Sequence, residues 1–207
     1  PFILKWGIMK TKLLFLFALI SFTITAQITS ERQTLQDLYN SLGGDNWVNN
    51  SGWTLDSQTR FGVKTEFING IKRVTEISLP NNNLEGQLID LSNLPELKVI
   101  NFNNNNISGE LTNFSTLTKL QAIHLENNSI SGTINPSFIN STIFHLYLKN
   151  NKLSGAIPDL SSFNIATLDI SDNQYTGSFP DVSFFSNIYG SLKIGGNQFT
   201  GEFPDFS

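Results

Sequence analysis

The sequence predicts a solenoid of the α/β class, in which short parallel strands stack repeat upon repeat behind an N-terminal helical cap. Three observations predict it. One apolar phrase recurs six times between Val74 and Phe203, at steps of 23, 23, 23, 22 and 24 residues. Every copy carries an Asn and then a Gly at the same offsets. A segment with helical apolar spacing and two tryptophans stands just before the first copy.

Taken in chain order, residues 1–8 precede Met9 and read as translated upstream sequence rather than as part of the protein. Residues 9–26 read as a secretory signal peptide. Lys10 and Lys12 follow the Met, an apolar run extends from Leu13 to Ile24, and Ala26 supplies a small residue at the cut. That run is shorter than the roughly 20 residues a membrane-spanning helix needs. Residues 27–73 form the expected cap. Ser30-Glu31-Arg32-Gln33 has the pattern of a capping box. Leu35, Leu38, Tyr39 and Leu42 share one helical face, and Gly43-Gly44 closes the helix. A cap is physically required, because the first strand's edge and the core beneath it would otherwise meet water.

Residues 74–207 are the repeats. They begin with Val74/Ile77/Leu79/Asn82/Leu84/Gly86/Leu88 and Leu97/Ile100/Phe102/Asn105/Ile107/Gly109/Leu111. Leu120/Ile123/Leu125/Asn128/Ile130/Gly132/Ile134 and Ile143/Leu146/Leu148/Asn151/Leu153/Gly155/Ile157 follow. Ile165/Leu168/Ile170/Asn173/Tyr175/Gly177/Phe179 and Tyr189/Leu192/Ile194/Asn197/Phe199/Gly201/Phe203 complete the six. An apolar-x-apolar core such as Ile123-His124-Leu125 is a short strand with alternate side chains turned in and out. The recurring Asn sits where the strand turns away, and its amide can satisfy backbone groups there. The Gly permits a conformation that side chains resist. Each buried large apolar side chain contributes roughly 1.5–3 kcal/mol, so a stack can offset its ordering entropy where one repeat cannot. The last residues, Pro204-Asp205-Phe206-Ser207, fall inside the sixth repeat's return segment, and a C-terminal cap is expected to be missing.

These phrases resemble the leucine-rich repeat family, and specifically its plant-type subclass. Leu84-Glu85-Gly86, Leu153-Ser154-Gly155-Ala156-Ile157-Pro158 and Phe199-Thr200-Gly201-Glu202-Phe203-Pro204 look like that subclass's L-x-G-x-I-P signature. The resemblance covers about residues 30 to 207. It implies a curved parallel sheet with its short strands on the concave face, and a second, irregular strand or turn on the flank. Leu38-Tyr39-Asn40-Ser41-Leu42-Gly43-Gly44-Asp45-Asn46-Trp47, with Trp53 beyond, is similar to the family's N-terminal cap. Where such caps often carry a Trp and a Cys around a Gly-Val pair, Arg60 and Thr65 stand around Gly62-Val63. Packing of Trp47 and Trp53 is expected to substitute.

Composition narrows the function. The chain has no cysteine, which excludes disulfides, thiol catalysis and cysteine-ligated metals. Its formal charge is −4, and loss of Lys5, Lys10 and Lys12 with the leader would take it to −7. An acidic surface argues against nucleic acid and anionic membranes as partners. No membrane insertion is expected within this stretch, and the expected location is secreted or at the cell surface.

The outward residues of the concave strands form three columns. The central one reads Ser78, Asn101, His124, Tyr147, Asp169 and Lys193. The column before it reads Glu76, Val99, Ala122, His145, Thr167 and Ser191, and the one after reads Pro80, Asn103, Glu126, Lys149, Ser171 and Gly195. Parallel strands lie about 4.8 Å apart, so His124, Glu126, His145, Tyr147, Lys149 and Asp169 are expected to form one ligand-binding patch. A zinc site built from His124, His145 and Glu126 or Asp169 is the sharper alternative. The chain has two histidines and no third ligand at a fixed spacing, so no metal or other cofactor is expected. No nucleophile elbow or phosphate loop is present, and no catalysis is expected. Asp90, Asn113, Asp159, Asp181 and Asp205 recur as turn-forming residues. Sequons stand at Asn49, Asn106, Asn113, Asn127 and Asn140.

The functional expectation is an exported, monomeric leucine-rich repeat protein that binds a protein or glycan through its concave face, in recognition or adhesion. The alternatives are the ectodomain of a signalling receptor, such as a receptor-like kinase, and a structural or ice-binding solenoid.

Overall fold

The computed structural model describes residues 12, 14, 27–54, 59–139, 142–160, 163–178 and 188–202. Of the stretches expected to be upstream sequence and leader, only Lys12 and Leu14 fall among them, and both are helical. Residues 27–41 form helix α1, whose apolar face buries Leu35 and Leu38, with Leu42 buried just beyond its end. The capping box expected at Ser30 does not form. The chain is already helical at Gln27, so Ser30 is an interior residue, and the Gln33 Nε2 donates forward to Asp37 Oδ1 at 2.9 Å. Gly43 takes the left-handed conformation (φ 68°) that ends the helix segment, followed by a short 3-10 turn at Gly44–Asn46.

The cap is held by aromatic packing and by carbonyls at the end of α1. Trp47 and Trp53 pack edge to face with centroids 4.9 Å apart, and Tyr39 lies 5.2 Å from Trp47 and 6.1 Å from Trp53. Both indoles donate to backbone, Trp47 Nε1 to Leu42 O at 2.7 Å and Trp53 Nε1 to Phe61 O at 2.9 Å. Leu42 O also accepts from Glu85 N of the first repeat at 3.0 Å. A Cβ on Gly86 would lie 2.0 Å from Ser41 O, so only glycine allows this close docking of repeat on helix.

Two sheets enclose the core. Strands β1 (Val63–Ile68) and β2 (Ile71–Ser78) form an antiparallel hairpin turned at Asn69 and Gly70, both at positive φ. The first sheet continues in parallel from β2 through β4 (Val99–Asn101), β6 (Ala122–His124), β8 (His145–Tyr147), β10 (Thr167–Asp169) and β12 (Ser191–Lys193). The second sheet is fully parallel, through β3 (Glu85–Gln87), β5 (Asn106–Glu110), β7 (Ser129–Gly132), β9 (Lys152–Gly155), β11 (Gln174–Ser178) and β13 (Gln198–Thr200). The flank expected to be irregular is thus a ladder of six strands among the described residues. Between the sheets lies one continuous row of buried apolar side chains, from Leu35 to Tyr175. The result is the curved parallel solenoid that the repeats predict.

The recurring Asn fastens each repeat to the one before. Asn105, Asn128, Asn151, Asn173 and Asn197 accept through Oδ1 from the backbone N–H of Leu84, Ile107, Ile130, Leu153 and Tyr175. Their Nδ2 groups donate to Leu79, Phe102, Leu125, Leu148 and Ile170 carbonyls of the preceding repeat. Asn82 has no earlier repeat beneath it. It ties the cap instead, accepting from Asn49 N at 2.7 Å and donating to Asn49 O at 3.0 Å. The residues just before this column, Asn81, Asn104, Asn127, Asn150 and Asp172, hold φ between 52° and 58°. Asn and Asp tolerate that left-handed turn better than other side chains.

Of the turn-forming column, Asp90 and Asn113 accept from the backbone N–H of Ser92 and Ser115 at 2.8 Å, as their turns require. Asp181, Asp205 and Asn140 lie outside the described residues.

Candidate concave-face binding patch

The candidate patch is carried on three adjacent strands and the loops that leave them. His124 ends β6, His145 and Tyr147 bound β8, and Asp169 ends β10. The ladder pairs His124 with Tyr147 and Tyr147 with Asp169, which gives the central column its predicted order. The column before it pairs Ala122 with His145 and His145 with Thr167.

Three rings form a flat stack. Tyr147 lies 4.6 Å from His124 at an interplanar angle of 16°, and 6.3 Å from His145 at 15°. All three side chains are half-buried. His124 and Tyr147 are register partners on neighbouring strands and His145 lies two residues before Tyr147 on the same strand, so all three side chains leave one face of the sheet.

Glu126 stands beside this stack. Its Oε1 is 3.7 Å from His124 Nδ1 and accepts from Asn103 Nδ2 at 3.4 Å. Burial alone would raise its pKa, but the contacts from His124, its own backbone and Asn103 outweigh this and hold it below the ordinary glutamate value. Three polar atoms here are buried without a hydrogen-bond partner: Glu126 Oε2, Asn103 Oδ1 and His145 Nδ1. Asn103 was legible only as a member of the third column, one repeat ahead of Glu126.

The structure pairs the other two residues with neighbours outside the ring stack, and only Asp169 is withdrawn from the surface. Asp169 is 5 % exposed and already occupied. Its Oδ1 accepts from Ser171 N and Oγ at 3.2 and 2.6 Å, and its Oδ2 lies 3.5 Å from Lys193 Nζ. It is a local turn anchor rather than an outward contact. Lys149 is exposed and turns to Asp172, with Nζ 3.4 Å from Oδ2. With Asp169 so engaged, His124, His145 and Glu126 gain no fourth ligand from it. Among the described residues no group of three or more His, Cys, Asp or Glu could hold a metal ion, and none of their helices is long and apolar enough to cross a membrane.

The patch is an open surface. A more enclosed space lies at the other end of the molecule, a cavity of about 260 Å³ between α1 and the β1–β2 hairpin, lined in part by Ile28, Leu35, Val63 and Val74.

Known proteins match this architecture. The Leucine Rich Repeat family model matches residues 119–141. No curated protein sequence matches the chain. Among solved structures, the ectodomain of the receptor kinase SOBIR1 from Arabidopsis thaliana is 25 % identical, with a TM-score of 0.67, covering 82 % of this chain and 94 % of its own. The BIR2 ectodomain from the same plant is 26 % identical, with a TM-score of 0.73, covering 83 % of this chain and 94 % of its own. A plant ice-binding protein is 25 % identical, with a TM-score of 0.70, covering 82 % of this chain and 56 % of its own. With six in-phase repeats, an Asn ladder joining them and these matches, the chain forms a leucine-rich repeat domain, similar in sequence and structure to plant receptor ectodomains.

Proposed function

We propose that this chain is the extracellular ligand-binding solenoid of a cell-surface receptor, and that it holds a protein partner on its concave face at His124, Glu126, His145, Tyr147 and Lys149. The observation that carries the reading is the parallel ring stack of His124, Tyr147 and His145 beside a carboxylate with an unpartnered oxygen. Flat aromatic surface edged by unsatisfied polar groups is what a partner can cover with gain. The likeness to receptor ectodomains that extend over nearly their whole length supports sensing rather than adhesion.

The ice-binding alternative has a weaker physical basis. The second sheet does carry Ser108, Ser131, Ser154, Thr176 and Thr200, one in each repeat after the first, which has Glu85 there. Four of these hydroxyls are engaged with Gly carbonyls of the preceding repeat at 3.2–3.5 Å. Their ladder partners include Lys152 and Gln174, which break any flat hydroxyl lattice.

Two measurements test the proposal. Immobilised protein is screened by biolayer interferometry against secreted proteins and peptides of its own source, and the hit is repeated with His145→Ala/Tyr147→Ala. Loss of binding is expected; full retention removes the patch. The locus is also read to its stop codon. A membrane-spanning segment and a kinase domain are expected, and a sorting or adhesion module in their place would overturn the receptor assignment.

A further inference from the structure

We infer that the concave patch is a guanidinium site, which takes an arginine side chain of the protein partner between the Glu126 carboxylate and the ring pair of His124 and Tyr147. The inference rests on the reading of this patch as the partner-binding face, and adds the chemistry of what it binds.

The unsatisfied groups define the ligand. Glu126 Oε2 and Asn103 Oδ1 are both acceptors, and neither has a donor. Besides a contact from its own backbone, the carboxylate's side-chain contacts are long, 3.4 Å from Asn103 Nδ2 and 3.7 Å from His124 Nδ1. A charged acceptor left this poorly paired in a half-buried site gains most from a charged donor. The missing partner must therefore bring several N–H groups and a positive charge.

Nearby cations do not fill the role. Lys149, next to Glu126 in its column, is turned to Asp172, and Lys193 is turned to Asp169. His124 neutralises Glu126 only when protonated. The site thus keeps net negative character within a chain whose formal charge is −4. Charge complementarity selects a basic partner.

The rings then choose between arginine and lysine. Tyr147 and His124 stack nearly parallel at 4.6 Å beside the carboxylate, which leaves the outer faces of the pair for a planar cation. A guanidinium is planar, stacks on such a surface and donates through a fork that matches a carboxylate. An ammonium is a point charge and can do only one of these at a time. Access is adequate, since the Glu126 side chain is 20 % exposed. Its Oε2 is buried, so the carboxylate turns about its broad last torsion to present an unpaired oxygen to the arginine.

The test is an NMR titration of the full chain with N-acetyl-arginine methylamide, read at the ring signals of His124 and Tyr147. Its citrulline counterpart, with the same shape and no charge, is the control. Saturable shifts are expected with the arginine compound, with affinity at least about tenfold weaker for the citrulline compound and for Glu126→Gln. Asn103→Ala is expected to weaken binding severalfold, while Glu110→Gln on the second sheet leaves it unchanged. Equal response to both compounds, or undiminished binding by a folded Glu126→Gln, would overturn the inference. If the arginine compound fails while Tyr147→Ala still abolishes partner binding, the guanidinium assignment falls and the binding face stands. If partner binding survives His145→Ala/Tyr147→Ala, both fall.

Discussion

Asn151 and Leu125 bind one repeat to the next: the Asn151 Nδ2 donates to the Leu125 carbonyl at 2.9 Å, from beneath the strand that follows it. The same amide donates to Leu148 O at 3.1 Å, and its Oδ1 accepts from Ile130 N at 3.0 Å. With Asn151 only 8 % exposed, water cannot replace these bonds. Asn151→Ala would leave a backbone N–H and at least one carbonyl unpaired, each costing roughly 1–3 kcal/mol, so a loss of at least about 2 kcal/mol is expected. Urea unfolding measures it. A midpoint unchanged from the parent would mean that the ladder is dispensable.

Glu31 and Arg73 form a buried ion pair between α1 and β2, with side chains 6 % and 9 % exposed. Glu31 Oε2 also accepts from Val74 N at 3.2 Å, while Arg73 Nη2 is buried without a partner. An imperfectly satisfied buried pair contributes little net stability, yet breaking it strands a charge. Arg73→Met alone is expected to cost about 3–5 kcal/mol, and Glu31→Leu/Arg73→Met together only about 1–3 kcal/mol, the cost of leaving the Val74 N–H without its acceptor. A double-mutant cycle by chemical denaturation decides it. Additive single effects would show that the residues are not coupled.

Tyr175 occupies a core position where the earlier repeats carry Leu or Ile, and it is fully buried. Among the described residues its hydroxyl has no partner, and burial pushes its pKa well above the ordinary tyrosine value. Tyr175→Phe keeps the ring against Phe199, 6.4 Å away, and removes the stranded hydroxyl. A gain of about 1 kcal/mol is expected in thermal unfolding. A loss of that size instead would mean that the hydroxyl is satisfied.

How much of this was legible beforehand follows from periodicity. Alternation of two residues within a 23-residue phrase tells which side chains point in, so the central column and the contact of His124 with Tyr147 could be read directly. The same rule placed Asp169 outward and missed its burial, because Ser171 and Lys193 draw it down through contacts that no spacing encodes. The flank was expected only as an irregular strand or turn, and its regular sheet was missed because its strands run through Gly, which carries no alternation signal. Glu31 read as part of a capping box, whereas its partner stands 42 residues away. The β1–β2 hairpin, turned at Asn69-Gly70, was not read from the sequence, where 27–73 stood as a helical cap.

Glu126 makes the concave face sensitive to acid, with a sign that can be worked out. Burial would raise its pKa, but His124, the backbone and Asn103 together lower it below the ordinary 4.5. A carboxyl group lowered on folding contributes stability that is fully present above the unfolded value and is lost as pH falls through the folded value. The difference in Tm between the parent and Glu126→Gln is therefore expected to shift against the parent as pH falls below about 5. The site is partly exposed, so the change should stay below about 1 kcal/mol. Thermal unfolding of both proteins across this range measures it, and a difference independent of pH would mean that folding does not favour the ionised form. Binding of the arginine compound should fade over the same window, because protonation removes the charge that draws the guanidinium in.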